Sequence, residues 1–537
     1  MIKPTPEEFF EQAGATVEYF RPKGSRRSRR GAGSSVMPNG SKAQESARAE
    51  EPDGGEEHTG DWTMDGPLEL HPAKPRPSAR LFVKHHCMAN GLRILHHHAD
   101  VFYMWNGRCY ESTDQQTIRS MVAGFLADAK EVKKGGLLVP FQPNITRVSN
   151  VIDALAAICN LPSNIRSPAW LPGAADVPPA SEIIACANGL LHLPTRTLLP
   201  PTPAFFSLNA LDFAFDPDAA PPTRWLQFLT ELWADDHEAM DTLQECFGYF
   251  LTPDTRQQKI VLLTGPKRSG KGTIARVVKN LLGPSNVCNP TLASLAQNFG
   301  LMPFIGRQLA IFGDARIGNR PDQHVIVERL LSISGEDSLT IDRKYLAPWT
   351  GTLSTRIMIT TNELPKLADA SGALASRFIV LTLIRNFYGR EELDLTRRLL
   401  DELPAILNWS IEGWDRLQDR GYFLQPASSA AAIRSFEDLS SPIGAFLRER
   451  CKVGAGGTVS CRLLFAHWRV WCEDQNRSHP GTVQSFGRDL RAAIPNLGDN
   501  RPRSSDDRER HYEGLTLLPD IPITVRVRAE ALAEANR

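Results

Sequence analysis

Residues 259–282 read KIVLLTGPKRSGKGTIARVVKNLL. An apolar run, a glycine-rich turn and a run with helical spacing follow one another without a gap. A strand feeding such a turn into a helix lets the backbone N–H groups of the turn point inward at phosphate oxygens. The first turn of the helix adds partial positive charge at the same place. Gly265, Pro266, Lys267, Arg268, Ser269, Gly270, Lys271, Gly272 and Thr273 form the expected ATP-binding loop, with Lys271 as the point charge for the β- and γ-phosphates. The residue after the lysine is usually Ser or Thr, which ligates magnesium. Here it is Gly272, and Thr273 follows one place later, so Thr273 is the candidate Mg2+ ligand of the loop.

Downstream, short apolar runs recur: QLAIFGD, RIMITTN and FIVLTL. Runs of this kind separated by helical or loop segments are the pattern of buried parallel strands, so residues 256–425 read as an α/β nucleotide-binding domain. Asp314 closes the first run and is the expected magnesium-holding acid, with a plain strand-end turn residue as the alternative. Its neighbour is Ala315, so no second acid stands beside it as a base; Glu336 and Asp337 are candidates that the pattern does not decide between. Asn362 ends the next strand, where its amide can reach a γ-phosphate or orient water. Arg377 precedes the last strand and is read as a residue that stabilises transition-state charge, against the plainer reading of a structural ion pair. Between them ISGEDSLTIDRKYLAPWTG carries Arg343, Lys344 and Tyr345. Cation plus aromatic ring is what a sequence-neutral grip on single-stranded DNA uses; a surface strand end carries the same residues as easily.

In this order and spacing GPKRSGKGT, QLAIFGD, SGEDSLTIDRKY, TTNELPKL and ALASRF resemble superfamily 3 helicases, and most of all the poxvirus-like branch of phage and plasmid primase–helicases. The resemblance implies an AAA+-like ATPase core using ATP and Mg2+. It also implies a homo-oligomeric ring, expected to be a hexamer, with ATP sites at subunit boundaries and Arg377 supplied to the neighbour. Arg343, Lys344 and Tyr345 would lie on a hairpin facing single-stranded DNA in the channel. The activity implied is 3′ to 5′ unwinding of replication-fork DNA. The chain then reads as the helicase half alone, since no paired-carboxylate centre for nucleotidyl transfer is visible. A separate primase or other replisome partner is expected. Two other readings stay open: a nucleotide-binding initiator or scaffold with little turnover, and a phosphate-loop ATPase that does not unwind.

The flanks are less specific. Residues 1–80 are expected to be a largely disordered tail, because they are poor in apolar residues and carry RPKGSRRSRR ahead of an acidic run. Residues 81–180 read as a small α+β region with a hairpin signal at Asn106-Gly107. Residues 181–255 read as a helical domain preceding the ATPase, and 521–537 as a C-terminal tail. Residues 427–520 read as helix, helix and polar hairpin, a winged-helix-like domain that could put Arg488 and Arg491 into a DNA groove. Yet basic and acidic residues nearly balance there, so protein contact is the alternative.

Composition sets the remaining bounds. Lys plus Arg and Asp plus Glu are 61 each, so bulk charge does not select a polyanionic partner. Nine cysteines without ligand spacing read as reduced thiols, and no apolar stretch is long enough for a membrane span. The expectation is a cytoplasmic protein with no membrane partner. His85, His86, Cys87 and His96 to His98 invite a metal reading, but successive residues of a strand face opposite sides, so it is not favoured.

Overall fold

The structure, a computed structural model, describes residues 68–535 except 134–135, 175, 235, 315–321, 366, 368–372, 476, 478–479 and 501–509. The tail expected over 1–80 therefore lies outside the described residues up to 67, as does the tip of the C-terminal hairpin. Two compact units are present, one of residues up to Gly91 together with Asp114–Cys159, the other of Leu92–Thr113 together with Asn160 onward.

The first unit is built on three helices, α1 (Pro75–His86), α2 (Gln115–Ala127) and α3 (Ile145–Ile158). Helix α1 starts ahead of Leu81, where the sequence pattern put the return of order. Pro75 lies in its first turn, where a missing N–H costs nothing. Asp114 and Asn144 cap α2 and α3 through side-chain bonds to the N–H groups of Thr117 and Arg147.

The second unit opens with an antiparallel meander, β1 (Leu95–His98), β2 (Val101–Trp105) and β3 (Tyr110–Thr113). A second meander follows, β4 (Ile183–Cys186), β5 (Gly189–His192) and β6 (Thr197–Leu199). The helical part expected over 181–255 thus begins only after these strands, with α4 (Thr223–Trp233) and α5 (His237–Leu251).

The ATPase core is a five-stranded parallel sheet. Its strands are β7 (Ile260–Thr264), β8 (Val287–Cys288), β9 (Leu309–Gly313), β12 (Arg356–Thr361) and β13 (Phe378–Thr382), in the spatial order β8-β9-β12-β7-β13. Between β9 and β12 run α7 (Gln323–Ser334) and the hairpin β10 (Leu339–Arg343) and β11 (Leu346–Gly351). Alternate residues of each strand face opposite cores. Val261, Leu263, Ile311, Met358 and Leu381 face Ile274, Val277 and Leu281 of α6 (Lys271–Leu282). Ile260, Leu262, Phe312, Ile359 and Val380 face Ile326 and Leu330 of α7. Burial on both faces is why these strands read as unbroken apolar runs rather than alternating ones.

Helix α8 (Leu403–Arg420) lies close against α5. Glycine makes that approach possible: a Cβ on Gly248 would stand 2.5 Å from the Ser410 carbonyl oxygen, and one on Gly413 would stand 2.3 Å from that of Gln244. Glu245, buried between the helices, is paired with Arg416 at 2.9 Å and with Arg420. Glu402, just before α8, accepts from the N–H groups of Arg224 and Trp225 at 2.9 Å each. It thereby satisfies the first turn of α4 and places negative charge where the helix dipole favours it.

Beyond the core come α9 (Pro442–Arg450), β14 (Cys451–Ser460), α10 (Cys461–Asp474), α11 (Val483–Ala493), β15 (Gly498–Asn500) and β16 (His511–Leu517). The strands form an antiparallel sheet in the order β14-β16-β15 around a core of Phe446, Trp468, Trp471 and Phe486. The stretch expected as a tail holds α12 (Ile523–Ala535), whose Ala529 and Ala533 pack on Ala466 and Val470 of α10. Arg528 ties it to Glu473 and Asp474. None of the nine cysteines, all of them among the described residues, forms a disulfide. Among the described residues no helix is long and apolar enough to cross a membrane.

Candidate nucleotide site and hairpin

Strand β7 delivers the chain into the glycine-rich loop at Gly265, where a Cβ would lie 2.2 Å from the Leu383 carbonyl oxygen. Only glycine passes there. Gly270 has φ +89 and its Cβ position is 2.8 Å from a Leu232 methyl carbon. A second glycine therefore allows the left-handed turn that launches α6. Lys271 begins that helix and is buried, with Nζ donating to the carbonyl oxygens of Gly265 at 2.8 Å and Pro266 at 2.7 Å and to Ser269 Oγ at 3.0 Å. Burial lowers the pKa of its ammonium and the nearby Asp314 carboxylate opposes that shift. The lysine thus holds the loop together across its mouth, the same position from which an ammonium meets phosphate oxygens.

Around this loop is a cleft of about 760 Å³, within the span of small-molecule sites. Lys267 through Thr273 form one wall, and Asp314 and Asn362 enter from the ends of β9 and β12. The sheet order places those strands side by side next to β7, so the three expected phosphate and metal residues converge because neighbouring parallel strands end together. Asp314 has φ +49, a conformation that turns the chain sharply at the strand tip. The Thr273 hydroxyl accepts from Arg276 at 3.1 Å, and Gly272 is exposed beside it. The residues fit a magnesium nucleotide: the glycine-rich loop and Lys271 for phosphate, with Asp314 and Thr273 as oxygen donors for the ion.

The cleft also takes residues that carry no motif. Arg224, Phe228 and Glu231 come from α4, and Phe387, Arg390, Glu391, Glu392, Leu393 and Thr396 come from the segment after β13. Arg224 bridges Glu231 at 3.2 Å and Glu392 at 3.1 Å, joining the two walls. The stretch RWLQFLTELW is legible only as a helix, because one cationic residue at its start has nothing in the sequence to mark it. Glu336 and Asp337, the undecided base candidates, do not line the cleft; Glu336 accepts instead from Thr255 Oγ1.

Arg377 is elsewhere. Its carbonyl accepts from the Ile260 N–H at 2.8 Å, so it flanks the start of β7, while the glycine-rich loop follows the end of that strand. Five strand residues span roughly 17 Å, more than an arginine reaches. Its guanidinium instead donates to Ser334 Oγ at 3.4 Å.

The three hairpin residues part company. Tyr345 is 91% exposed at φ +65, and Lys344 Nζ lies 5.0 Å from its ring centroid. Arg343 is turned inward, with Nε donating to the Ala347 carbonyl at 2.8 Å and Nη1 to the Ala99 carbonyl at 2.8 Å. Its Nη2 meets Asp100 at 3.3 Å. Arg343, expected beside them as a DNA contact, thus spends three of its five N–H donors within the chain and is turned away from the exposed tip.

In the upstream histidine run, burial lowers His96 to about 4, and its ring lies against Tyr110 and Phe206. His97 packs on Phe102 instead. Among the described residues no three His, Cys, Asp or Glu side chains group as metal ligands. In α11, Arg491 bonds Asp499 at 2.9 Å and Arg488 pairs with Asp489 at 3.0 Å.

Comparison with known proteins divides the chain in two. Residues 79–234 match the family described as D5 N terminal like, and residues 263–377 match a family of unknown function, DUF5906. Among solved structures, the apo C-terminal region of NrS-1 is similar at 12% identity and a TM-score of 0.46, covering 78% of this chain and 94% of that one. The A form of that apo region gives 10% identity and a TM-score of 0.44, covering 79% and 96%.

Proposed function

We propose that this chain, whose residues 79–234 match the D5 N terminal like family, is a D5-like primase–helicase that works as an ATP- and magnesium-dependent motor on single-stranded DNA and unwinds replication-fork DNA. The reading rests above all on the convergence of Lys271, Asp314 and Asn362 on one cleft at the ends of adjacent parallel strands. Lys271 and the loop hold the phosphates, Asp314 and Thr273 the ion, and Asn362 the γ-phosphate or the attacking water. Electrostatic stabilisation by such fixed groups is the main catalytic resource in phosphoryl transfer. Arg377 lies at the opposite end of the strands from its own subunit's loop. It therefore serves a neighbouring subunit's nucleotide, which calls for head-to-tail contacts that close into a ring. Lys344 and Tyr345 grip DNA, the ring face stacking on bases and the ammonium meeting phosphate. The order helix, strand, helix, helix, strand, strand after residue 442 supports a winged-helix reading. With Arg488 and Arg491 paired to carboxylates, that module suits a protein contact better than a DNA groove.

The test is steady-state ATP hydrolysis by wild type and Lys271→Ala, with and without single-stranded DNA. DNA-stimulated turnover that disappears in Lys271→Ala is expected. Turnover that is absent, or indifferent to DNA, moves the assignment to a nucleotide-binding assembly factor or a non-unwinding ATPase.

A further inference from the structure

Arg343 stands next to the hairpin tip yet directs its guanidinium away from it. Its Nε holds the opposite strand at Ala347, while Nη1 and Nη2 reach the turn between β1 and β2 at Ala99 and Asp100. The side chain of Arg343 is 7% exposed and that of Asp100 56% exposed. A rigid, planar fork using three nitrogens on three acceptors fixes direction as well as distance, which a lysine cannot do. The receiving turn is itself unusual. Ala99 and Asp100 have φ +48 and +63, values that two-residue hairpin turns normally assign to Asn-Gly or Asp-Gly. Alanine is strained there, and such strain persists where the surroundings over-determine it. The hairpin shows the matching irregularity, a register shift between Ile341 and Arg343.

We infer that the contact of Arg343 with Ala99 and Asp100 is a strut by which the D5-like segment sets the position of the DNA-gripping tip. Asp100 is thereby a positioning residue for DNA response rather than a DNA contact. The inference rests on the proposed grip by Lys344 and Tyr345. It joins the two segments matched in the family comparison, since the turn lies within 79–234 and the hairpin within 263–377.

The experiment is a titration of ATPase activity with an oligothymidylate, on the full chain, alongside anisotropy of the labelled oligonucleotide and thermal melting. Asp100→Ala removes only a half-exposed carboxylate. It is expected to raise the DNA concentration for half-maximal stimulation by about threefold to tenfold, the usual worth of one ordinary or half-exposed hydrogen bond. Turnover without DNA stays at the wild-type value, and melting temperature falls only slightly, because alanine suits φ +63 at position 100 less well than aspartate does. Arg343→Met raises the concentration further, and Arg343→Lys falls between. The double variant matches Arg343→Met alone, because Asp100 acts only through that arginine. A wild-type DNA response in Asp100→Ala, with Lys344→Ala having lost it, overturns the strut and leaves the motor reading intact. Penalties that multiply in the double variant overturn it too, by assigning each residue its own DNA contact. A Lys344→Ala chain with a wild-type DNA titration removes the grip itself and the inference with it.

Discussion

Gly265→Ala tests the geometry of the nucleotide loop more sharply than removal of a charge. The added Cβ meets the Leu383 carbonyl oxygen at 2.2 Å and the Leu383 carbonyl carbon at 3.0 Å, on a backbone at φ +154. Ordinary contact begins near 3.4 Å, so either the loop or the strand end must move by about 1.2 Å. The strand end resists, because the Leu383 N–H donates to the Thr264 carbonyl at 2.8 Å. The loop therefore moves, carrying with it the Gly265 and Pro266 carbonyls that hold Lys271. A displacement of about 1 Å at a reacting centre costs roughly 100-fold in turnover. The strained backbone adds about 1–3 kcal/mol to the folded state's energy. Gly272→Ala is the matched control, since its Cβ meets only the far end of the Arg276 side chain at 3.4 Å and its φ needs no glycine. That variant should keep its turnover within a few-fold and gain up to about 1 kcal/mol from better helix propensity. Steady-state ATP hydrolysis with thermal melting reads both effects. Equal turnover in Gly265→Ala and Gly272→Ala would show that the loop's contact with Leu383 does not position the phosphates.

Stability should fall on mild acidification. Burial lowers His96 and His467 each to about 4 from an ordinary 6.5, so between these values the unfolded chain binds more protons and stability declines as pH falls. Thermal melting from pH 7 to pH 4 should show this decline, and His467→Phe should flatten part of it; an unchanged slope refutes the assignment. At the α5–α8 crossing, Gly413→Ala puts a Cβ 2.3 Å from the Gln244 carbonyl oxygen and should cost about 3 kcal/mol or more in chemical denaturation. A loss below about 1 kcal/mol would mean that the helices separate freely.

What the sequence makes legible here follows from where the determining physics is local. The glycine-rich loop, Asp314 and Asn362 can be read because a strand tip and the next few residues carry both the fold signal and the chemistry. The side-by-side order of β9, β12 and β7 then brings them together without further coding. Arg224 and the segment from Phe387 to Thr396 reach the same cleft only through tertiary packing. Their partners are up to 178 residues away, as with Glu402 under the N-terminus of α4, and no spacing announces that.

Arg343, Lys344 and Tyr345 show the boundary most clearly. Three adjacent residues share one composition argument, yet a register shift at Arg343 and a turn 243 residues upstream divide them into one inward strut and two exposed tip residues. A basic-aromatic cluster fixes the kind of ligand a loop can grip, but not which of its charges is free to grip it. That depends on where the other donors and acceptors of the fold fall. Here the acceptors of Arg343 are the Ala347 carbonyl across the hairpin and, from a strained turn, a backbone carbonyl and a carboxylate. Their geometry satisfies a fork and leaves the single charge of Lys344, over the Tyr345 ring, for the solvent side.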